Sequence, residues 1–137
     1  MATAVAKKKI LVVDDSPIMT LVLGNIVAED PQLQVVEYAS DGLEALKKIE
    51  ATKPDLIILD LEMPKMNGVE FMKQIRFKSQ AKVIVVTAEE ANSEKVIQIK
   101  SLGIDGLVFK PSNIVAQELK NQKSQEIRNL IHRILKI

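Results

Sequence analysis

The chain has 137 residues, 19 basic and 18 acidic, for a formal charge of +1, with 3% aromatic residues and no cysteine. That length suits one domain with one core. The even charge and scarce aromatics argue against nucleic-acid binding, and the absence of cysteine excludes disulfides and thiolate metal sites and suits a cytoplasmic, reducing setting. No apolar run approaches the roughly 20 residues of a membrane span. The first seven residues form a lead-in and no signal-peptide h-region, because the few apolar residues of "MATAVAKKKI" precede the lysines.

The first strand is expected at "ILVV" (10–13), ending at Asp14-Asp15. Ser16 then suits a helix N-cap and Pro17 the first helical position, with Ile18, Leu21, Val22 and Ile26 at helical spacing. "QVVEYA" (34–39) reads as a strand, and "DGLEALKKIEA" (41–51) as a turn and cap followed by a helix with Leu43, Leu46 and Ile49 on one face. "LIIL" (56–59) is apolar on both faces, as a central parallel strand is. It ends at Asp60 and is followed by Pro64 and Gly68 in "DLEMPKMNG", where Met63 and Met66 read as loop anchors. The next helix, "GVEFMKQIR" (68–76), turns Val69, Met72 and Ile75 or Phe71 inward. "KVIVVTA" (82–88) is a strand, "SEKVIQIKSLG" (93–103) a helix stopped by Gly103, and "GLVF" (106–109) a strand running into Lys110-Pro111. Residues 112–121 read as a loop or short helical insert. A final helix follows, with a stripe of Ile127, Leu130, Ile131, Ile134 and Ile137. If part of that stripe stays exposed it could pair two copies, so the expectation is a monomer or weak dimer.

Five strands alternating with five helices predict an α/β fold, a doubly wound parallel sheet with helices on both faces. Sites in such sheets form beyond the carboxyl ends of the strands. That rule brings Asp14, Asp15, Asp60, Thr87 and Lys110 to one edge. Taken singly, each has an ordinary reading as a turn, cap or strand residue. Together, three converging carboxylates repel one another, so either some are protonated or a cation holds them. Oxygen donors with no histidine or thiol nearby suit a hard ion such as Mg²⁺. A carboxylate beside Mg²⁺, an ammonium and a hydroxyl can accept a phosphoryl group as an acyl phosphate. Ala88 leaves room for it, and the loop shaped by Pro64 and Gly68 can turn N–H groups toward it.

"VVDDS", "DLEMPKMNG", "VVTA" and "FKPS" resemble the receiver domain of two-component response regulators, and "LDLEMPKMNGVEFM" with "FKPS" looks closest to the receivers of chemotaxis methylesterases. The resemblance covers about residues 8–137. It implies a flavodoxin-like sheet of order 2-1-3-4-5, a fold for which a chemotaxis receiver is a standard example. It further implies that Asp60 accepts a phosphoryl group from a histidine kinase. By the same resemblance Asp15, Asp60 and the backbone carbonyl of Glu62 ligate Mg²⁺, Asp14 acts through water, and Thr87 and Lys110 contact the phosphoryl group. Lys110-Pro111 is where the family often has a cis peptide. The output would be control of an unidentified downstream protein, with no metabolic substrate, no direct nucleic acid and no membrane insertion. One departure stands out. The family's usual aromatic residue three positions before the lysine is here Leu107, while Phe109 adjoins Lys110. Glu62 and Glu89 lie where the family tunes acyl-phosphate hydrolysis. The sole histidine, His132, reads as a surface or packing residue.

Two other functions use similar parts. A haloacid-dehalogenase-type phosphatase also combines Asp, Thr, Lys and Mg²⁺, but carries a second Asp two residues after its nucleophile, where this chain has Glu62. A flavin binder would place phosphate after the first strand, where this chain has two acids.

Overall fold

The computed structural model describes residues 6–110 and 116–137. The chain runs β1 (Lys8–Val13), α1 (Pro17–Ala28), β2 (Leu33–Ala39), α2 (Gly42–Thr52), β3 (Leu56–Leu59), α3 (Gly68–Ile75), β4 (Lys82–Thr87), α4 (Glu94–Ser101), β5 (Gly106–Phe109) and α5 (Ala116–Leu135). The strands are parallel throughout, in the expected order β2-β1-β3-β4-β5.

Strand alternation divides the core in two. Leu11, Val13, Ile57, Leu59, Val83 and Val85 face α2, α3 and α4. Ile10, Val12, Leu56, Ile58, Ile84 and Val86 face α1 and α5. The buried stretches of β1 and β3 are therefore apolar at every position, which is why "ILVV" and "LIIL" show no polar alternation. Each fully buried aliphatic side chain contributes about 1.5–3 kcal/mol against the cost of ordering the chain.

The helices start where short polar residues can hold the first free N–H groups. The Ser16 hydroxyl accepts from Met19 N–H at 3.2 Å, Asp41 from Glu44 at 2.8 Å, Asn67 from Glu70 at 3.0 Å and Ser93 from Val96 at 3.2 Å. Gly103, at φ +85, ends the turn after α4 in the left-handed region that glycine enters without strain.

Three expectations are corrected. In α1, Ile18 and Leu21 are 64% and 62% exposed, and the packed residues are Val22, Leu23, Ile26 and Val27. This helix is apolar nearly all round, so spacing alone does not choose its inner face. At about 100° per residue, Leu21 falls almost opposite the centre of the buried stripe. In α2, Leu43 is exposed and the small Ala45 takes the inner position beside Leu46 and Ile49. All four apolar candidates in α3, Val69, Phe71, Met72 and Ile75, are buried.

The third correction concerns the break at 112–121. α5 is continuous from Ala116 to Leu135, so residues 116–121 belong to it, and 112–115 lie outside the described residues. The polar run 120–126 does not stop the helix because it is paired. Lys120 meets Glu29 at 2.9 Å, Lys123 meets Glu126 at 3.1 Å, and Gln125 donates to Asn129 at 2.7 Å. Leu119 on one side of this run, and Ile127 and Ile131 on the other, are fully buried; Leu130 and Ile134 pack against the same core, and Ile137 is exposed beyond the helix end. A methyl group at Gly106 would lie 2.9 Å from Leu130 and 3.1 Å from Ile134, so α5 rests directly on the bare backbone of β5. His132 on α5 hydrogen-bonds through Nε2 to Asp30 at the α1–β2 turn.

Candidate functional site

The strand ends set the positions of the polar groups. Backbone hydrogen bonds continue the sheet one step past its strands. Asp60 N–H donates to Val13 at 2.9 Å, Asp14 N–H to Ala39 at 3.0 Å, and Lys110 N–H to Thr87 at 2.9 Å. The residues expected at one edge therefore meet there. Asp14, Asp15 and Asp60 each offer an oxygen, and the three lie within 4.8 Å of one another. Asp14 is 2% and Asp60 9% exposed, whereas Asp15 is open to solvent. Lys110 reaches in with Nζ 4.0 Å from Asp14 Oδ2, so its nearest acid is Asp14 rather than Asp60. Ser16 serves twice: its hydroxyl caps α1, and its N–H donates to Asp14 Oδ1 at 2.9 Å.

This assembly is short of positive charge. Burial, then the Asp14 carboxylate, pushes the Asp60 carboxyl up to about 7, and Lys110 and the Glu62 N–H pull it back only in part. Burial also raises Asp14, against the Ser16 N–H and Lys110. Buried acids left in this condition either hold protons or hold a cation. The donors are all carboxylate oxygens, as a hard divalent ion requires, so the residues fit Mg²⁺ or a similar ion.

Beside the aspartates, Asp60, Glu62, Ala88, Glu89, Glu90 and Lys110 line an open cavity of about 370 Å³. Thr87, the residue before Ala88, is fully buried, its hydroxyl accepting from Glu89 N–H at 3.0 Å. The loop after Asp60 folds back tightly. Gly68 N–H donates to Leu61 at 3.1 Å, and a methyl at Gly68 would lie 2.8 Å from the Asp60 carbonyl oxygen. Met66 is buried and its carbonyl accepts from Gly42 at 2.9 Å, so it anchors the loop as expected.

The Glu62 side chain stands at the open edge of this cavity and is 55% exposed. It pairs with Lys95 on α4, and Lys95 Nζ also lies 3.8 Å from Glu89. The Glu62 and Glu89 carboxyls adjoin. That contact holds Glu62 low, with Lys95 assisting, and Glu89 high. Lys95 was not legible as a site residue, since a lysine in an amphipathic helix reads as solvent-facing. Leu107 is half-buried and packs on the α2–α4 side of the sheet; Phe109, two residues on and so on the same face, is paired in register with Thr87 and is 36% exposed. His132 lies on α5 against α1, apart from the acidic cluster. Pro111 lies outside the described residues.

A five-stranded 2-1-3-4-5 sheet with three aspartates, a threonine and a lysine at its carboxyl edge defines a receiver domain. The chain matches the response regulator receiver domain family over residues 10–122 and belongs to it. Among its relatives is a protein-glutamate methylesterase/protein-glutamine glutaminase of Vibrio vulnificus, 41% identical over 107 residues, which are 77% of this chain and 31% of the relative. The chain thus spans about a third of the length of the methylesterases it matches. The response regulator domain of Thermotoga maritima CheB superposes with a TM-score of 0.86 at 34% identity, covering 96% of this chain and 98% of that one. CheY6 of R. sphaeroides, from a complex with the P1 domain of CheA3, superposes at 0.71 with 33% identity, covering 92% and 98%. No helix among the described residues is long and apolar enough to cross a membrane.

Proposed function

We propose that the protein is a phosphorylation-dependent signalling module in which Asp60 accepts a phosphoryl group from a phosphohistidine of a kinase. The observation that carries this reading is the convergence of Asp14, Asp15 and Asp60 within 4.8 Å beside Lys110 and Thr87. The solved complex of the related CheY6 with a CheA3 P1 domain supports the class of partner.

Asp14, Asp15 and Asp60, with the Glu62 carbonyl, would hold Mg²⁺. Bound there, the ion neutralises charge between carboxylate and phosphoryl oxygens. An Asp60 oxygen attacks phosphorus, the P–N bond to the imidazole breaks, and the nitrogen keeps the electron pair and takes up a proton. Lys110 supplies a fixed positive charge for the transferred oxygens, and the Thr87 hydroxyl can turn from the Glu89 N–H to donate to one of them. Ala88 keeps that space free of side chain. The product state controls binding of a downstream protein, and the domain turns over no other substrate.

Incubation with acetyl phosphate and Mg²⁺ tests this. Intact mass should rise by one phosphoryl group, and Asp60→Asn should abolish the gain. An unchanged wild-type mass defeats the reading, and multiple turnover of a phosphate monoester would replace it with a phosphatase.

A further inference from the structure

Lys95 is the second residue of α4, directly after Glu94 and the N-cap Ser93. The N-terminal end of a helix carries partial positive charge, so a cation is poorly placed there by the helix itself. What holds it is a pair of acids from two other segments. Glu62 comes from the loop after β3 and Glu89 from the loop after β4; both line the cavity beside Asp60, and Lys95 contacts both. The two acids also touch each other. Two adjoining carboxylates repel, and the ammonium between them is what keeps them together.

We propose that Lys95 is a positioning residue that clasps Glu62 to Glu89 across the mouth of the Asp60 cavity and so prolongs the phosphorylated state. The inference rests on the reading of Asp60 as phosphoacceptor. Hydrolysis of the acyl phosphate needs a water oxygen to bond to phosphorus while the bond from phosphorus to the Asp60 oxygen breaks. The carboxylate leaves with the electron pair, and the water's proton goes to the released phosphate or to solvent. Attack is in line, so water must come from the side facing away from Asp60. Glu62 and Glu89 border that open side. Tied to Lys95, they narrow it; without the ammonium they repel and separate, and the path widens.

The test is the decay of the aspartyl phosphate in Mg²⁺ buffer after acetyl phosphate is removed, followed by phosphate release. Lys95→Ala should decay about three- to fivefold faster than wild type, the range open to an exposed ion pair. Lys95→Arg, which keeps the charge, should decay near the wild-type rate. In a Glu62→Gln, Glu89→Gln background, Lys95→Ala should add no acceleration. A Lys95→Ala decay no faster than wild type, a Lys95→Arg decay as fast as Lys95→Ala, or persistent acceleration in the double-Gln background overturns the clasp. A wild type that takes up no phosphoryl group overturns the phosphoacceptor reading and the clasp with it.

Discussion

Gly68 stands where any side chain would strike the main chain of the acceptor segment: its missing methyl would lie 2.8 Å from the carbonyl oxygen of Asp60 and 2.9 Å from Cα of Leu61. Both obstacles are backbone atoms at the end of β3 and cannot rotate away. Gly68→Ala should therefore destabilise the protein by about 1–3 kcal/mol, as overpacking does elsewhere. Urea unfolding gives the number. Because the displaced atoms belong to Asp60 and its neighbour, labelling by acetyl phosphate should slow as well. A variant as stable as wild type would show that the loop relaxes freely.

The raised Asp60 carboxyl makes stability depend on pH and on metal. In the folded, metal-free protein this group titrates at about 7, against an ordinary value of 3.8. Between those values the folded state holds a proton that the unfolded chain has released. The contribution of Asp60 to stability therefore falls as pH rises from about 4 to about 7, by a few kcal/mol at most, and is flat above. Asp60→Asn cannot ionise. Without metal it should match wild type near pH 4 and exceed it at pH 7.5. Mg²⁺ should restore wild-type stability at pH 7.5 far more than at pH 4.5. Urea midpoints in EDTA and in Mg²⁺ check both; a constant gap between wild type and Asp60→Asn across this range would disprove the assignment.

His132 and Asp30 clamp α5 to the α1–β2 turn. Burial alone would raise the Asp30 carboxyl, but the Gln32 N–H at 2.9 Å and His132 more than compensate and hold it below its ordinary value. This share of stability is present above pH 4 and is lost as pH falls through the carboxyl's lowered range. His132→Ala leaves a 9%-exposed carboxylate short of a partner and should cost about 1–3 kcal/mol in a urea titration at pH 6. Labelling of Asp60 should continue at the wild-type rate, since the clamp lies on a different part of the fold.

Leu107 stands where the family usually has an aromatic residue, and Phe109 is the aromatic residue paired in register with Thr87. Its partial exposure leaves it room to reorient. Beryllofluoride with Mg²⁺ should shift the Phe109 ring resonances together with the backbone of residues 104–109. Backbone shifts with a stationary ring would assign the response to another route.

The sheet was legible because its central strands are apolar on both faces and end in acids, a pattern that needs no knowledge of neighbours. Asp14, Asp60, Thr87 and Lys110 followed from the rule that parallel strands end on one side. Less was readable where a helix offers apolar residues in excess. Spacing alone did not mark Ile18, Leu21 and Leu43 as outward, because their exposure depends on how α1 and α2 are rotated against the sheet. The start of α5 was hidden for the opposite reason. Its polar turns are sustained by partners such as Glu29, far away in sequence. Lys95 stayed unseen because its meaning lies in two loops that only the fold brings together.

The bare backbone at Gly106 has a mechanical consequence. The side chains of Leu130 and Ile134 reach the main chain of the final strand with nothing from position 106 in between, so the long helix sits close against that strand. Lys110 follows that strand directly. A larger residue at position 106 would have to push these two side chains back and lift α5 from the strand that leads to Lys110.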